Sequence, residues 1–385
     1  MTDVYLNNQT TANIPICVRL EGALLKTDLC WESVVGLLRQ NLFNVFPVFY
    51  WWLRGHNCLS RKLAAALRMD PASLPYHEKL VSWLRGERKS GRNIYLTAAF
   101  DQNVARAIAE HLGIFDEVIP VVGCGKLPNQ TEVHVLNKKF GKQCFDYAGN
   151  SAEDFPVWRA AHAAVVVNAS AAVKDELARC TRIDRVFDRT VSPVNAFIRS
   201  LRPHQWCKNL IVFVPIIAGH KITDHLICGR DFWAFLVFCV CASGVYIMND
   251  LMDLDADRRH STKHLRPFAS GDLPLPMGLA LAPLLLLAGL LAAVQLSWCF
   301  FGVVLIYLAL TTAYTWKIKS IVLLDVFFLA GLYTIRLVAG HEATGLVYSS
   351  WLIMFSMFIF LSLALVKRYV ELDAMKEFSP HVNGG

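Results

Sequence analysis

The chain has 385 residues, 55% of them hydrophobic and only 18% charged, with a formal net charge of +7. Globular chains average about 45–50% apolar and about 25% charged residues, so this one is short of charge. That balance excludes a disordered or collagen-like chain, and 11 cysteines over this length are too few for a small disulfide scaffold.

Residues 1–200 mix charged and apolar residues as a soluble α/β domain does. The first 15 are polar and contain no apolar run of the kind a cleavable signal peptide needs. A strand is expected from Ile16, running through Cys17, Val18 and Arg19 into a turn at Glu21-Gly22, with Thr27-Asp28 ahead of a helix. The run Phe43–Leu53 (FNVFPVFYWWL) is too short to span a bilayer and contains Pro47. It reads as a core helix or as an aromatic face lying on lipid headgroups. A second strand is expected at Asn93–Asp101 and a strand with an acidic turn at Asp146–Asp154. A linker of mixed charge covers Thr181–Val194. No CxxC pairing occurs, and Cys239 and Cys241 lie inside an apolar run, so isolated buried thiols are expected rather than a zinc site.

From Asn209 onward the charges retreat into clusters between six apolar runs, roughly 209–228, 232–250, 277–296, 298–316, 321–341 and 347–366. Each has about the length that a bilayer core requires. Basic residues occupy alternate connections: Arg199, Arg202 and Lys208; then Arg258, Arg259, Lys263 and Arg266; then Lys317 and Lys319; then Lys367 and Arg368. By the positive-inside rule the N-terminal domain is cytoplasmic, and the chain is integral to the inner (cytoplasmic) membrane. The positive charge thus sits beside a membrane, and no nucleic-acid partner is expected.

One segment concentrates chemistry. Asn249, Asp250, Asp253 and Asp257 form the pattern NDxxDxxxD. On one continuous helix the three aspartates stand at i, i+3 and i+7 and share a face. Three stacked carboxylates repel unless a cation joins them, and hard oxygen donors with few protein contacts suit Mg²⁺, which shares its coordination with substrate phosphates. Acids at a helix C-terminus also oppose the macrodipole, a poor choice for stability alone. The basic loop Lys263-His-Leu-Arg266-Pro-Phe-Ala-Ser-Gly271 follows, suited to the anionic end of a diphosphate. Tyr314, Lys317 and Lys319 end the fourth run, Asp325 and Arg336 lie within the fifth, and Lys367, Arg368 and Glu371 end the sixth. Ionisable groups at such depth should face the bundle interior.

The segment NDLMDLDAD followed by RPFASG resembles the UbiA superfamily of intramembrane prenyltransferases. The run Leu201–Pro215 (LRPHQWCKNLIVFVP), the series Tyr314, Lys319, Asp325, Arg336, and Lys367–Glu371 (KRYVE) are similar to its decaprenyl-phosphate phosphoribosyltransferase branch. The resemblance covers roughly 195–375. It implies a transmembrane helical bundle with a lateral opening for a polyprenyl chain, Mg²⁺ as cofactor, and a diphosphate leaving group. By position it implies that Asn249, Asp250, Asp253 and Asp257 hold Mg²⁺ and diphosphate. Asp250, Asp253 and Lys319 would be catalytic, and Asn249, Arg266, Tyr314, Asp325, Arg336, Lys367, Arg368 and Glu371 would contact substrate. In that branch the donor is phosphoribosyl diphosphate and the acceptor a polyprenyl phosphate. The superfamily typically has nine membrane helices where this sequence shows six before a polar tail at 376–385. The expectation is a shortened product, or a separate chain that supplies the missing helices.

The N-terminal motifs resemble the haloacid-dehalogenase (HAD) superfamily, whose first motif is normally DxDGT. Arg19 stands in the place of its nucleophilic Asp, Glu21 in that of the acid/base Asp, and Ala23 in that of Thr. Thr97 matches the second-motif hydroxyl one position early, which would turn it to the other strand face. Glu132 falls near the third-motif Lys, and Asn150 replaces the first acid of the fourth motif while Asp154 is retained. An Arg cannot attack phosphorus, and it repels the Mg²⁺ that the site requires. The domain at 1–190 is therefore expected to fold as a Rossmann-like HAD unit without phosphatase activity, serving for docking or, with Arg19, as an anion sensor.

The expected architecture joins this α/β domain to an all-α transmembrane domain at 195–375. The expected activity is Mg²⁺-dependent phosphoribosyl transfer to a polyprenyl phosphate. The alternatives are prenylation of an aromatic acceptor by a polyprenyl diphosphate, a non-catalytic membrane scaffold, or a transporter using Asp325 and Arg336.

Overall fold

The computed structural model describes residues 14–55, 59, 62–63, 69–99, 101–121, 128–316, 318, 321 and 323–377. They form two compact units. One comprises the residues up to Phe197 together with Asp250–Met277; the other comprises Ile198–Asn249 and the residues from Gly278 onward.

The first unit is built on a six-stranded sheet of β1 (Ile16–Arg19), β2 (Ile94–Ala98), β3 (Glu117–Pro120), β4 (Asp146–Gly149), β5 (Ala163–Val167) and β6 (Ile183–Phe187). All neighbours are parallel, in the order β3-β2-β1-β4-β5-β6. Strand β5 reads Ala-Ala-Val-Val-Val and is buried throughout, which a parallel sheet covered on both faces demands. Two apolar clusters supply the cover, one around Leu24, Leu80 and Ile108, the other around Leu136, Phe145 and Trp158. This is the Rossmann-like α/β architecture the motifs predict. The strand order reverses between β1 and β4, so a crevice opens at their C-terminal ends, where ligands of such sheets bind. Gly22 turns the chain there with φ +83°, and a Cβ on it would lie 2.3 Å from the Asn150 amide. Asp28 then caps helix Leu29–Gln40, accepting from the Cys30 and Trp31 amides at 2.8 and 3.2 Å.

Helix Val45–Leu53 has no buried residue. Phe43 and Phe46 are 75% and 69% exposed, which overturns the core-helix reading of this run.

The second unit corrects the six-span expectation. Among the described residues, five helices are long and apolar enough to cross a membrane: His225–Met252, Leu275–Leu296, Trp298–Thr315, Leu324–Thr344 and Ser350–Val370. The first expected run is broken. A 3₁₀ stretch, Pro203–Phe213, leads into the five-residue helix Val214–Ala218, and a turn with His220 at φ 53° precedes His225. Pro215 has no amide to donate to the preceding turn, so the two pieces cannot fuse into one α-helix. They pack as broken structure instead: Trp206 donates to Ser243 Oγ at 3.0 Å, and Ser243 donates to the Leu201 carbonyl at 2.9 Å. Helices His225–Met252 and Leu275–Leu296 approach through small residues, since a Cβ on Gly289 would lie 2.3 Å from Cys241 Sγ. Leu284, Leu287 and Leu291 point outward, more than half exposed, as the lipid-facing stripe of a span does.

Candidate functional site

The expectation that Asp250, Asp253 and Asp257 share one face of a continuous helix is overturned. The long helix ends at Met252; Asp253, at φ −94° and ψ 11°, breaks it, and the short helix Leu254–Arg259 restarts. The break removes the stack of like charges and turns Asp257 back towards Asp250. Both carboxylates, each only 2% exposed, converge on one guanidinium nitrogen: Arg266 Nη1 donates to Asp257 Oδ2 at 2.5 Å and to Asp250 Oδ1 at 3.2 Å. Asn249 belongs to the helical unit, where its amide donates to Thr315 Oγ1 at 3.3 Å.

Two buried carboxylates aimed at a single cationic point are the hard-oxygen chemistry of a Mg²⁺ site. Among the described residues no group of three or more His, Cys, Asp or Glu side chains could hold a metal. The pair therefore does not fit an all-protein cage. It does fit a Mg²⁺ ion held by one or two carboxylates that takes its remaining ligands from water and a substrate diphosphate.

Within the helical unit, acceptors and aromatic rings surround Arg336. Its Nε donates to Asn209 Oδ1 at 2.9 Å, its Nη2 to the Tyr307 hydroxyl at 3.2 Å, and its Nη1 to the Leu332 carbonyl, while the guanidinium lies over the rings of Tyr307 and Tyr333. Lys208 stands close by. Burial pushes its ammonium down, and repulsion from Arg336 and Lys367 pushes it further. Lys208 and Arg336 thus place positive charge close together within this unit. Asp325 and Arg368 are brought together at 3.9 Å, Tyr314 packs partly buried against the apolar cluster, and Lys367 is exposed. Glu371 falls on the last helix, Ser350–Glu377. Lys317 and Lys319 lie outside the described residues.

Lys208, Asn209 and Tyr307 were not singled out as site residues by sequence reasoning. The signal available was the motif around Lys208-Asn209, which ended in what read as the start of a membrane span.

In the α/β unit, Arg19 at the end of β1 donates to Asp154 Oδ1 and lies 3.7 Å from Glu153. Asp154 is fully buried, and its Oδ2 also accepts from the amides of Asn150 and Ser151 at 2.8 and 3.1 Å. A guanidinium thus stands against the one retained acid of the fourth motif. Thr97 pairs in register with Arg19 and so shares its sheet face, which corrects the expectation that it turns away. It lies within hydrogen-bond reach of Glu132, whose carboxyl burial pushes up and whose Oε1 accepts from Tyr147 at 2.8 Å. Glu21 accepts from the Leu29 amide at 3.1 Å, and burial with the nearby Asp28 pushes its carboxyl up to about 7.

Comparison with known proteins identifies related chains. The UbiA prenyltransferase family model matches residues 214–377. Uncharacterized protein y4nM of Sinorhizobium fredii is 37% identical over 366 residues, covering 93% of this chain and 69% of that protein. The decaprenyl-phosphate phosphoribosyltransferase of Mycolicibacterium smegmatis is 36% identical over 184 residues, covering 47% of this chain and 58% of the enzyme. A UbiA homolog from Archaeoglobus fulgidus, solved with DMAPP and Mg²⁺, is 20% identical over 44% of this chain and 61% of its own, with a TM-score of 0.39. The chain thus spans less than two thirds of the latter two proteins.

Proposed function

Because the chain belongs to the UbiA prenyltransferase family, we propose that it catalyses Mg²⁺-dependent transfer of a phosphoribosyl group from phosphoribosyl diphosphate to a polyprenyl phosphate. The observation that carries the proposal is the convergence of Asp250 and Asp257 on one cationic point at the end of a membrane-spanning helix. The choice of reaction within the family is supported by the likeness to the Mycolicibacterium enzyme over 184 residues.

In this reaction an oxygen of the lipid phosphate attacks the anomeric carbon of the ribosyl group. The carbon–oxygen bond to the diphosphate breaks, and pyrophosphate leaves with the electron pair. The lipid phosphate is already an anionic nucleophile, so no strong general base is required. Bound Mg²⁺ would act as a Lewis acid, neutralising charge on the leaving group. Asp250 and Asp257 would hold it, with Asp253 beside them at the helix break. Arg266, which pairs with both carboxylates, would offer its guanidinium to the diphosphate. Within the helical unit, Lys208, Arg336 and Lys367 would offer positive charge to a phosphate.

The protein is an integral membrane protein. For its orientation we propose the inner membrane, with the α/β unit cytoplasmic and the exposed aromatic helix Val45–Leu53 laid against the lipid surface. The α/β unit would not hydrolyse phosphomonoesters, because Arg19 occupies the nucleophile position and neutralises Asp154.

The test is an assay of membranes carrying the full chain, with labelled phosphoribosyl diphosphate and decaprenyl phosphate, with Mg²⁺ or with EDTA. Label should appear in the lipid fraction only with Mg²⁺. Its absence, alongside prenylation of an aromatic acid by a polyprenyl diphosphate, would replace this reading with the other UbiA-type reaction.

A further inference from the structure

The helix Leu254–Arg259 carries the last aspartate of the acid motif and has only six residues. A helix that short fixes more backbone than its own hydrogen bonds repay, so its shape is imposed from outside. Its charged side chains identify what imposes it. Asp255 accepts from Arg39 Nη1 at 2.5 Å, and Arg259 reaches Asp70 at 2.9 Å. Arg258 gives both terminal nitrogens to Glu32, at 2.6 and 3.1 Å. Asp257, on the remaining side, meets Arg266.

Glu32, Arg39 and Asp70 all belong to the α/β domain, which forms one compact unit with the acid-motif segment. Glu32 and Arg39 stand at i and i+7 on helix Leu29–Gln40 and so present one face. The three pairs are not equal. Arg259 and Asp70 are 66% and 49% exposed, and such a surface pair contributes little. Glu32 and Arg258 are each 6% exposed and joined fork to fork, the geometry that fixes position most tightly. Arg258 also donates through Nε to the Ala269 carbonyl at 3.1 Å. One side chain therefore ties together the domain, the helix that bears Asp257 and the loop that bears Arg266.

We infer that the phosphatase-like domain is a platform that positions the acid motif, with Glu32 as the positioning residue acting through Arg258. The reaction it serves rests on the transferase reading above. A phosphatase fold without its nucleophile then has a use that needs no phosphatase chemistry. Its first helix sets the spacing between the two carboxylates and their cation, the quantity on which Mg²⁺–diphosphate binding depends, as outer-shell partners do at other metal sites.

The test uses the full chain in lipid nanodiscs, comparing wild type with Glu32→Gln, Glu32→Asp and the charge-swapped pair Glu32→Arg with Arg258→Glu. Three quantities are read: hydrogen exchange over residues 254–266 with and without Mg²⁺, the Mg²⁺ concentration for half-maximal transfer, and the thermal midpoint. For Glu32→Gln, exchange at 254–260 should quicken, Mg²⁺ protection should fall, and half-saturating Mg²⁺ should rise about tenfold. Exchange in β5 should stay as in wild type, and the swapped pair should recover most of the loss. Unchanged exchange and Mg²⁺ dependence in folded Glu32→Gln would overturn the inference. So would a loss spread evenly over β5 and 254–266, which marks a stabilising role only. If Glu32→Gln does not fold, Glu32→Asp decides by the same readouts. A wild type that forms no lipid-linked product would sink the transferase reading, while the exchange measurement would still decide the positioning claim.

Discussion

Arg266 holds Nη1 2.5 Å from Asp257 Oδ2, so the acid motif carries its own counter-ion. Without that guanidinium, Asp257 and Asp250 would face each other buried, which disfavours charge on one of them unless another cation enters. Arg266→Ala should therefore make folding depend on Mg²⁺. The thermal midpoint should rise on adding Mg²⁺ by clearly more than in wild type. Equal shifts in the two proteins would show that the carboxylates do not form a common cation site. Asp257→Asn should lower transfer by about 100-fold while leaving the midpoint within a few degrees.

Arg19, partly exposed, pairs with the fully buried Asp154 at the mouth of the α/β crevice. Removing the cation leaves Asp154 with its two amide donors and no counter-ion. Arg19→Ala should destabilise the α/β unit by roughly 3 kcal/mol, read as a lower denaturant midpoint for that unit. Arg19→Asp should also fail to create a phosphatase, because Glu132 and Asn150 still stand where cation- and metal-binding groups are needed. Turnover of a phosphomonoester by that variant would contradict the reading of this pocket.

Glu21 sets a pH dependence whose sign can be worked out. Burial, then Asp28, raises its folded pKa to about 7, above the usual carboxylate value. The folded state thus holds the proton more tightly than the unfolded one. Its contribution is fully present below about pH 4 and is lost as pH rises through 7. Glu21→Gln keeps an oxygen for the Leu29 amide and removes the titration. The stability difference between variant and wild type should move in the variant's favour from pH 5 to pH 8. A difference that stays flat across that range would remove Glu21 as the cause.

Arg336 satisfies three acceptors inside the helical unit: Asn209 Oδ1, the Tyr307 hydroxyl and the Leu332 carbonyl. Arg336→Ala strands them, at about 1–3 kcal/mol for each acceptor that finds no water. Thermal unfolding in detergent should show a markedly lower midpoint than for Lys367→Ala, whose side chain is exposed. Lys367→Ala should instead raise KM for the lipid phosphate with little change in stability.

Patterns carried by neighbouring residues were legible in the sequence, and pairings made over long separations were not. The buried run of β5 and the apolar spans from His225 onward follow from composition and period alone. The NDxxDxxxD pattern marked where the carboxylates cluster, but its helical spacing hid the break at Asp253. No Gly or Pro marks that break, and the pairs flanking it reach back to Glu32 and Arg39. Hydropathy counted 209–228 as a span because it weighs apolarity and ignores the missing amide of Pro215. Thr97 was placed on the wrong face because a strand's register is fixed by its partner, here Arg19, and not by its own sequence. Asn209 gained its meaning only from Arg336, far along the chain.

The most direct measurement is the stoichiometry of the reaction itself in nanodiscs carrying the full chain, polyprenyl phosphate and labelled phosphoribosyl diphosphate. Lipid-linked label and pyrophosphate should appear one for one with Mg²⁺ present, cease with EDTA, and fall to background in Asp250→Asn. Lipid-linked product formed at the wild-type rate by Asp250→Asn, or by wild type in EDTA, would contradict a Mg²⁺–diphosphate site built on the acid pair.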